Sequence, residues 1–473
     1  GADQLAHVEG VGGKITEDEA SADLCGIDSR AAYPGSLFVA LAGQHVDGHK
    51  FVQDAFANGA VAAFVRADKV APNELPGGHG LVVVDDTLAA LQKLASAQRR
   101  RLQAKVAAVT GSVGKTTTKD MLAAIARTRG RVVATRGNYN NEIGLPLTVL
   151  DADRNTDVLV LEMGMRGPGE IRELAEIARP HAGVVTNVSP VHLERLGSLE
   201  NIARAKRELI EQLPEDGIAV LNGDDPLVRR MAEEAPCNVL FFGCGDENDV
   251  RDSAVEVFGE RGSRFVLHFR GDVVAVELPV PGRHHVMNAL AAAAAALALG
   301  SSLEDVVRGL AAADEQRSAM RTELSTTSSG VRVINDAYNA SPASMEAAIE
   351  LLASMDGRRR IAVLGDMLEL GPLTEKAHAD IGRLAAQHGV DLLVAVGRQA
   401  RVVITAAIDA GMSPQSTVMC NDAGQAANLV STLVRHGDVV LIKASRGVQL
   451  EVVAERLAQA GAELREEGGD EGK

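Results

Sequence analysis

Val106-Ala107-Ala108-Val109-Thr110-Gly111-Ser112-Val113-Gly114-Lys115-Thr116-Thr117-Thr118 is the stretch that decides the fold. It begins as an apolar run with β-branched residues and turns on two glycines around Ser112 and Val113. At Lys115 and Thr116 it passes into a helical pattern through Met121, Leu122 and Ile125. Strand, glycine turn and helix in that order predict a phosphate-binding loop. The glycines let backbone N–H groups face a phosphate, and the helix start adds unpaired donors and a positive dipole end. In such a loop Lys115 reaches the outer phosphates and the Thr116 hydroxyl is placed to ligate magnesium. The loop is shorter than the usual pattern, which would need glycine where Val109 stands. An ordinary glycine turn is the plainer alternative, and the flanking strand and helix weigh against it.

Outward from this stretch, the 473 residues are enough for about three domains of ~100–200 residues each. Residues 1–104 read as a small α/β unit, with strands over 37–41, 60–65 and 81–84 and helices over 51–58 and 88–102. The second helix ends in Arg99, Arg100 and Arg101, which suit a solvated helix C-terminus. Residues 105–315 alternate strand and helix, which predicts a mostly parallel sheet covered on both faces. Strands are expected over 132–135, 157–164 and 182–188, and helices over 169–179 and 199–213. A period-two pattern over 250–278 predicts a pair of strands added to the sheet edge. Ligands in such folds sit at the carboxyl ends of strands, where Thr110, Glu162 and His192 all fall. Residues 316–473 repeat the alternation. Strands are expected over 331–334, 361–364, 392–396 and 439–442, and helices over 344–354, 376–388, 402–410, 424–434 and 450–460. The glycine- and acid-rich tail after Arg465 reads as disordered.

Composition narrows the function. The net charge of −16, from 48 basic and 64 acidic residues, argues against nucleic acid as a partner. An anionic substrate would need a local cluster of basic groups and backbone amides. The longest apolar run, over 289–299, is too short to span a membrane, so a cytoplasmic protein is expected. Four cysteines without C-x-x-C spacing read as free thiols.

Several further stretches carry a family resemblance. Asp28-Ser29-Arg30, Leu37-Phe38-Val39-Ala40-Leu41 and Asp47-Gly48-His49-x-Phe51 lie in the N-terminal unit. Gly137-Asn138-x-Asn140-Asn141-x-Ile143-Gly144-x-Pro146 follows the phosphate loop. Asp336-Ala337-Tyr338-Asn339-Ala340-x-Pro342-x-Ser344-Met345 and Gly365-Asp366-Met367-x-Glu369-Leu370-Gly371 lie in the last third. Together with the shortened loop, they resemble the Mur ligases, ATP-dependent enzymes that build the peptide of bacterial peptidoglycan. The likeness covers nearly the whole chain. Its last three motifs are similar to the branch that adds D-alanyl-D-alanine to UDP-N-acetylmuramoyl-tripeptide. The Asp-Asn-Pro-Arg stretch usual in the branch adding the third residue is missing.

The resemblance implies an α/β chain of three domains. These are a small N-terminal α/β domain binding the UDP-sugar substrate (1–104), a central mostly parallel-sheet P-loop ATPase domain (105–315) and a C-terminal Rossmann-like α/β ligase domain (316–473). It implies that ATP phosphorylates the tripeptide carboxylate and that the dipeptide amine attacks the acyl phosphate. Residue by residue, it assigns ATP to Gly111, Ser112, Val113, Gly114, Lys115, Thr116, Thr117, Asn288, Arg321 and Asp336. It assigns magnesium to Thr116, Glu162, His192 and Lys206, with Lys206 carbamylated, and catalysis to Lys115, Lys206 and His192. The UDP substrate falls to Ser29, Arg30, Asp47, Gly48, His49, Asn140 and Asn141, and the peptide end to Tyr338, Asn339, Lys443, Ser445 and Arg446. The chain departs from the family at His285, where asparagine is usual, and at Met320 and Ala444, where glycine is usual. Because Arg321 and Asp336 lie in the third domain, ATP is expected to be clasped only when that domain closes. A monomer is expected. The alternatives are a folylpolyglutamate-type ligase and, from another class, a nucleotide-driven switch ATPase. The N-terminal domain argues against the first, and the lack of an Asn-Lys-x-Asp signature against the second.

Overall fold

Runs of Val, Ile, Leu and Ala alternate with amphipathic helices along the chain, and in the computed structural model they build three separate sheets. Residues 14–15, 24–43, 46–69, 79–313, 318 and 320–467 are described. Gln44 and His45, the 314–317 junction and 468–473 lie outside them, and with them part of the expected loop, the 315/316 boundary and most of the expected tail. The last helix, Glu451–Glu467, continues two residues past Arg465.

Among the described residues the first sheet has five strands. Leu24–Gly26, Ser36–Val39, Ala62–Arg66 and Gly80–Val84 run parallel, and Lys14–Ile15 is added antiparallel at the edge. Its helix Thr87–Arg101 ends differently from expectation. Arg99 is buried rather than solvated, and its guanidinium donates to Ala178 O at 2.7 Å and Arg179 O at 3.1 Å. Those carbonyls close the helix Glu170–Ala178 of the central domain, so the arginine joins two domains.

The central sheet has nine strands. In order across the sheet they are Asp272–Leu278, Ser263–Phe269, Val250–Val257, Asn238–Gly243, Ile218–Asn222, Ala182–Val185, Lys105–Thr110, Val158–Glu162 and Val132–Ala134. The period-two stretch makes three strands, not two, because Gly259–Arg261 and Arg270-Gly271 each reverse the chain. Helices cover both faces. The alanine-rich helix His284–Ala298 packs closely on Lys115–Arg127, the helix that follows the phosphate loop. Ala289 to Ala296 are fully buried there, and their small side chains let the two backbones approach.

The third sheet has the order Glu323–Thr326, Arg332–Asp336, Val439–Lys443, Arg360–Gly365, Leu392–Val396 and Thr417–Cys420, parallel except for its first strand. The edge strands Glu323–Thr326 and Thr417–Cys420 and the helix Gly144–Leu150 escaped the sequence reading because they are short and only weakly periodic. All four cysteines are free. No helix among the described residues is long and apolar enough to cross a membrane.

Candidate active site

The phosphate loop is shaped from behind by a second loop. Thr186 Oγ1 and Asn187 Nδ2 both donate to Val113 O, at 2.7 and 2.9 Å, and Val113 N donates to Asn187 Oδ1 at 2.9 Å. Ser189 N donates to Ser112 Oγ at 2.9 Å. Gly111 and Gly114 both have positive φ, and a Cβ on them would strike Thr186 and Asn288 respectively. Asn288, on the alanine-rich helix, thus packs directly against the loop. Sequence reasoning missed Thr186, Asn187 and Ser189. The pattern around them was visible only as a strand end. Lys115 opens the helix and is half-buried. Its ammonium folds over the loop to donate to Gly111 O at 2.9 Å and Ser112 O at 3.1 Å. Burial lowers its pKa, Glu162 counteracts this, and Arg321 adds to the lowering.

Glu162 ends the strand beside the loop and is buried. Its Oε2 accepts from Thr116 Oγ1 at 2.7 Å and its Oε1 from Asn140 Nδ2 at 2.7 Å. A buried carboxylate and a hydroxyl in contact form a hard oxygen pair of the kind magnesium selects, leaving its other positions to water and phosphate. Among the described residues no three His, Cys, Asp or Glu side chains converge as a cage. The Thr116–Glu162 pair fits the ion, and His192 and Lys206 line the same cavity.

Lys206 is 2% exposed, on the inner face of the helix Leu199–Glu211. Burial first, and Lys115 second, hold its pKa well below the ordinary lysine value. Its ammonium makes no hydrogen bond or ion pair with any described residue. A neutral amine is the state that attacks carbon dioxide, and burial favours it here, so the residue fits a carbamate. His192 sits just before the short helix Leu193–Leu196 with a φ of 56°. Its Nδ1 contacts a carboxylate oxygen of Glu369, which belongs to the third domain. Burial lowers the His192 pKa, and Glu369 raises it by a smaller amount.

The third domain supplies the opposite wall. Arg321 lies over the Tyr338 ring, 4.1 Å from its centroid. Met320 and Thr322 on either side both have positive φ, 57° and 52°. That conformation suits glycine better than the methionine that stands at position 320. Asp336 pairs with Lys443, accepts from Thr322 N at 3.1 Å, and lies near His284. Lys443 also donates to Asn339 O at 3.0 Å. Asn288 Nδ2 is 3.1 Å from His285 Nδ1, and the His285 ring lies against that of His284. Burial pushes His284 down to about 4.

These groups line one cavity of about 720 Å³ between the central and third domains. It gathers residues 111–117, Asn140, Asn141, Glu162, His192, Lys206, Asn288, Arg321, Asp336, Tyr338, Asn339 and Lys443. Lys115, Arg321 and Lys443 bring positive charge to this cavity beside the carboxylates of Glu162 and Asp336.

Other expected site residues are occupied elsewhere. Asn141 Oδ1 caps the helix Gly144–Leu150 by accepting from Ile143 N and Gly144 N, at 3.2 and 2.9 Å. Asp47, Gly48 and His49 do not line the cavity. His49 Nε2 accepts from Arg66 N at 3.1 Å, so Nδ1 carries the proton and donates to Asp47 at 2.7 Å. That hydrogen bond holds Asp47 down at about 2. Gly48 packs on the Leu41 backbone too closely for any side chain. Ser29 is buried and its carbonyl accepts from Asn58 Nδ2, while Arg30 is exposed and paired with Asp28. Ser445 accepts from Leu368 N at 2.9 Å, and Arg446 pairs with Glu451 at 2.7 Å.

Three family descriptions match the chain: "Mur ligase family, catalytic domain" over residues 22–99, "Mur ligase middle domain" over 109–296, and "Mur ligase, glutamate ligase domain" over 320–446. The UDP-N-acetylmuramoyl-tripeptide–D-alanyl-D-alanine ligase of Bacillus subtilis is 41% identical over 434 residues, covering 92% of each chain. The crystal structure of MurF from Acinetobacter baumannii superposes with a TM-score of 0.84 at 33% identity, covering 97% of this chain and 98% of that one. MurF ligase from Thermotoga maritima in complex with ADP gives 0.79 at 30% identity, covering 95% and 100%.

Proposed function

The chain belongs to the Mur ligase family, and from that membership we propose that it joins D-alanyl-D-alanine to the terminal carboxylate of UDP-N-acetylmuramoyl-tripeptide at the expense of ATP, releasing ADP and phosphate. What carries the reading is one cavity in which a phosphate loop and a buried carboxylate face an arginine and an aspartate from another domain. Likeness to relatives named for this reaction, over nearly their whole length, supports the substrate assignment.

The chemistry follows from charge. Phosphoryl transfer to a carboxylate brings two anions together, so positioning and electrostatic stabilisation supply most of the rate. The backbone N–H groups of Gly114, Lys115 and Thr116 and the Lys115 ammonium hold the outer phosphates, the ammonium exchanging the Gly111 and Ser112 carbonyls for phosphate oxygen. Arg321 meets the γ-phosphate, and Asp336 holds the ribose. Thr116 and Glu162 would hold magnesium, which when bound neutralises charge on the phosphates. A carbamate on Lys206 would add a second anionic oxygen ligand. The dipeptide amine attacks the acyl phosphate and phosphate leaves as the amide forms. Asn339 and Lys443 border the region where that end of the reaction takes place. The N-terminal domain holds the UDP-sugar through groups other than the internally bonded His49.

Magnesium dependence, a cytoplasmic location and a monomeric state go with this reading, as do the domain divisions 1–104, 105–315 and 316–473. The folylpolyglutamate-type and switch alternatives are not favoured. An acceptor panel tests the assignment. With UDP-muramoyl-tripeptide and ATP, D-alanyl-D-alanine should be joined and single D- or L-amino acids should not. Equal use of a lone amino acid would overturn it.

A further inference from the structure

The loop between the strand Arg360–Gly365 and the helix Thr374–Gln387 is pinned from behind by side-chain and backbone hydrogen bonds. Met367 N donates to His378 Nε2 at 2.9 Å, and Leu368 N to Ser445 Oγ at 2.9 Å. Asp366 accepts from Arg398 N and Gln399 N at 2.9 and 3.0 Å. At its tip Glu369 is forced to a φ of 63°, a left-handed conformation that costs a side-chain-bearing residue of the order of 1 kcal/mol. The tip docks on the central domain at three places. Leu373 packs into the apolar cluster beneath Leu193 and Leu196, and Glu194 N donates to Glu369 O at 3.3 Å. The Glu369 carboxylate meets His192 Nδ1, and His192 is itself left-handed. Two strained residues from two domains are thus held against each other at the edge of the cavity.

We propose that Glu369 is a positioning residue for His192. By accepting the Nδ1 proton it fixes the imidazole in the tautomer whose Nε2 keeps its lone pair for the cavity, and it does so only while the third domain is docked. Free imidazole can place its proton on either nitrogen, and the partner of one nitrogen sets the state of the other. A histidine that must accept or ligate through Nε2 depends on such a partner. The central domain alone therefore holds His192 without a fixed tautomer, and docking of the loop 366–373 completes it. This ties assembly of the site to domain closure through one hydrogen bond. The inference rests on the ligase reading only for its effect on rate.

The test compares the intact protein with Glu369→Ala and Glu369→Gln. With 15N-labelled histidine, and the His192 signals identified from a His192→Gln spectrum, long-range 1H–15N correlations report the tautomer without any substrate. The wild type and Glu369→Gln, whose amide oxygen still accepts, should carry the proton on Nδ1. Glu369→Ala should move it to Nε2 and lower kcat about ten- to hundredfold with little change in KM for ATP. Glu369 is 39% exposed, so truncation leaves no buried void, and the glutamine variant controls for folding. An unchanged tautomer in Glu369→Ala would overturn the proposal, as would a changed tautomer at unchanged kcat. If the ligase reading itself were wrong, wild-type turnover would be missing while the tautomer shift remained.

Discussion

The Thr116 hydroxyl donates to Glu162 Oε2 at 2.7 Å, joining the first turn after the phosphate loop to the end of the adjacent strand. The parallel register of these strands, with Val109 opposite Glu162, sets the distance. Asn140 holds the other carboxylate oxygen, so the anion is aimed before any ion arrives.

Glu162→Gln preserves the volume and an acceptor for Thr116 but removes the charge. It should lower turnover by about 10²–10³-fold, the usual cost of losing one preorganised electrostatic group. It should also move the magnesium dependence of ADP release to higher concentration while leaving the melting temperature near that of the wild type. An unshifted magnesium curve would contradict the assignment.

Lys206 is buried with no hydrogen-bond or ion-pair partner among the described residues, and burial favours its neutral amine. Carbamylation would turn that amine into a carboxylate on a long stem. Lys206→Ala should lose activity, and acetate or another short carboxylate should restore part of it by occupying the vacated ligand position. Full activity of Lys206→Ala in carbon-dioxide-free buffer would remove lysine from the chemistry.

His284 gives a pH signature. Burial holds it at about 4, against 6.5 when unperturbed, so between these values the unfolded chain binds more protons than the native one. Its neutral form contributes fully above pH 6.5, and the contribution is lost as pH falls through about 4. The whole difference is at most about 3 kcal/mol. Wild type should therefore lose stability faster than His284→Gln when denaturant midpoints are followed from pH 7 to pH 4.5. Parallel curves would contradict the burial argument.

Much of this was legible in the residues. Gly111 to Thr116 announced a phosphate loop because its strand, turn and helix are local features, and Glu162 followed from its place at a strand end. Other parts depend on where distant segments meet. Nothing near Arg99 in sequence reveals the carbonyls of Ala178 and Arg179 that bury it. Glu369 stood inside a motif already noted, yet its role needs the contact with His192, 177 positions away. Asp47, Gly48 and His49 look like a ligand loop because turns and binding loops use the same residues. Only the hydrogen bond from Arg66 shows that the imidazole is already engaged. Methionine itself gives no sign of the left-handed φ at position 320; only the glycine usual there in the family hints at it.

The central claim is that this cavity activates a carboxylate with ATP and hands it to a dipeptide amine. The most direct measurement uses UDP-muramoyl-tripeptide carrying 18O in its terminal carboxylate, with ATP, magnesium and D-alanyl-D-alanine, and follows products by mass spectrometry. An acyl-phosphate route predicts a pentapeptide product, with one labelled oxygen passing into the released phosphate for each ADP formed. Unlabelled phosphate, or ADP released with no pentapeptide, would contradict the account.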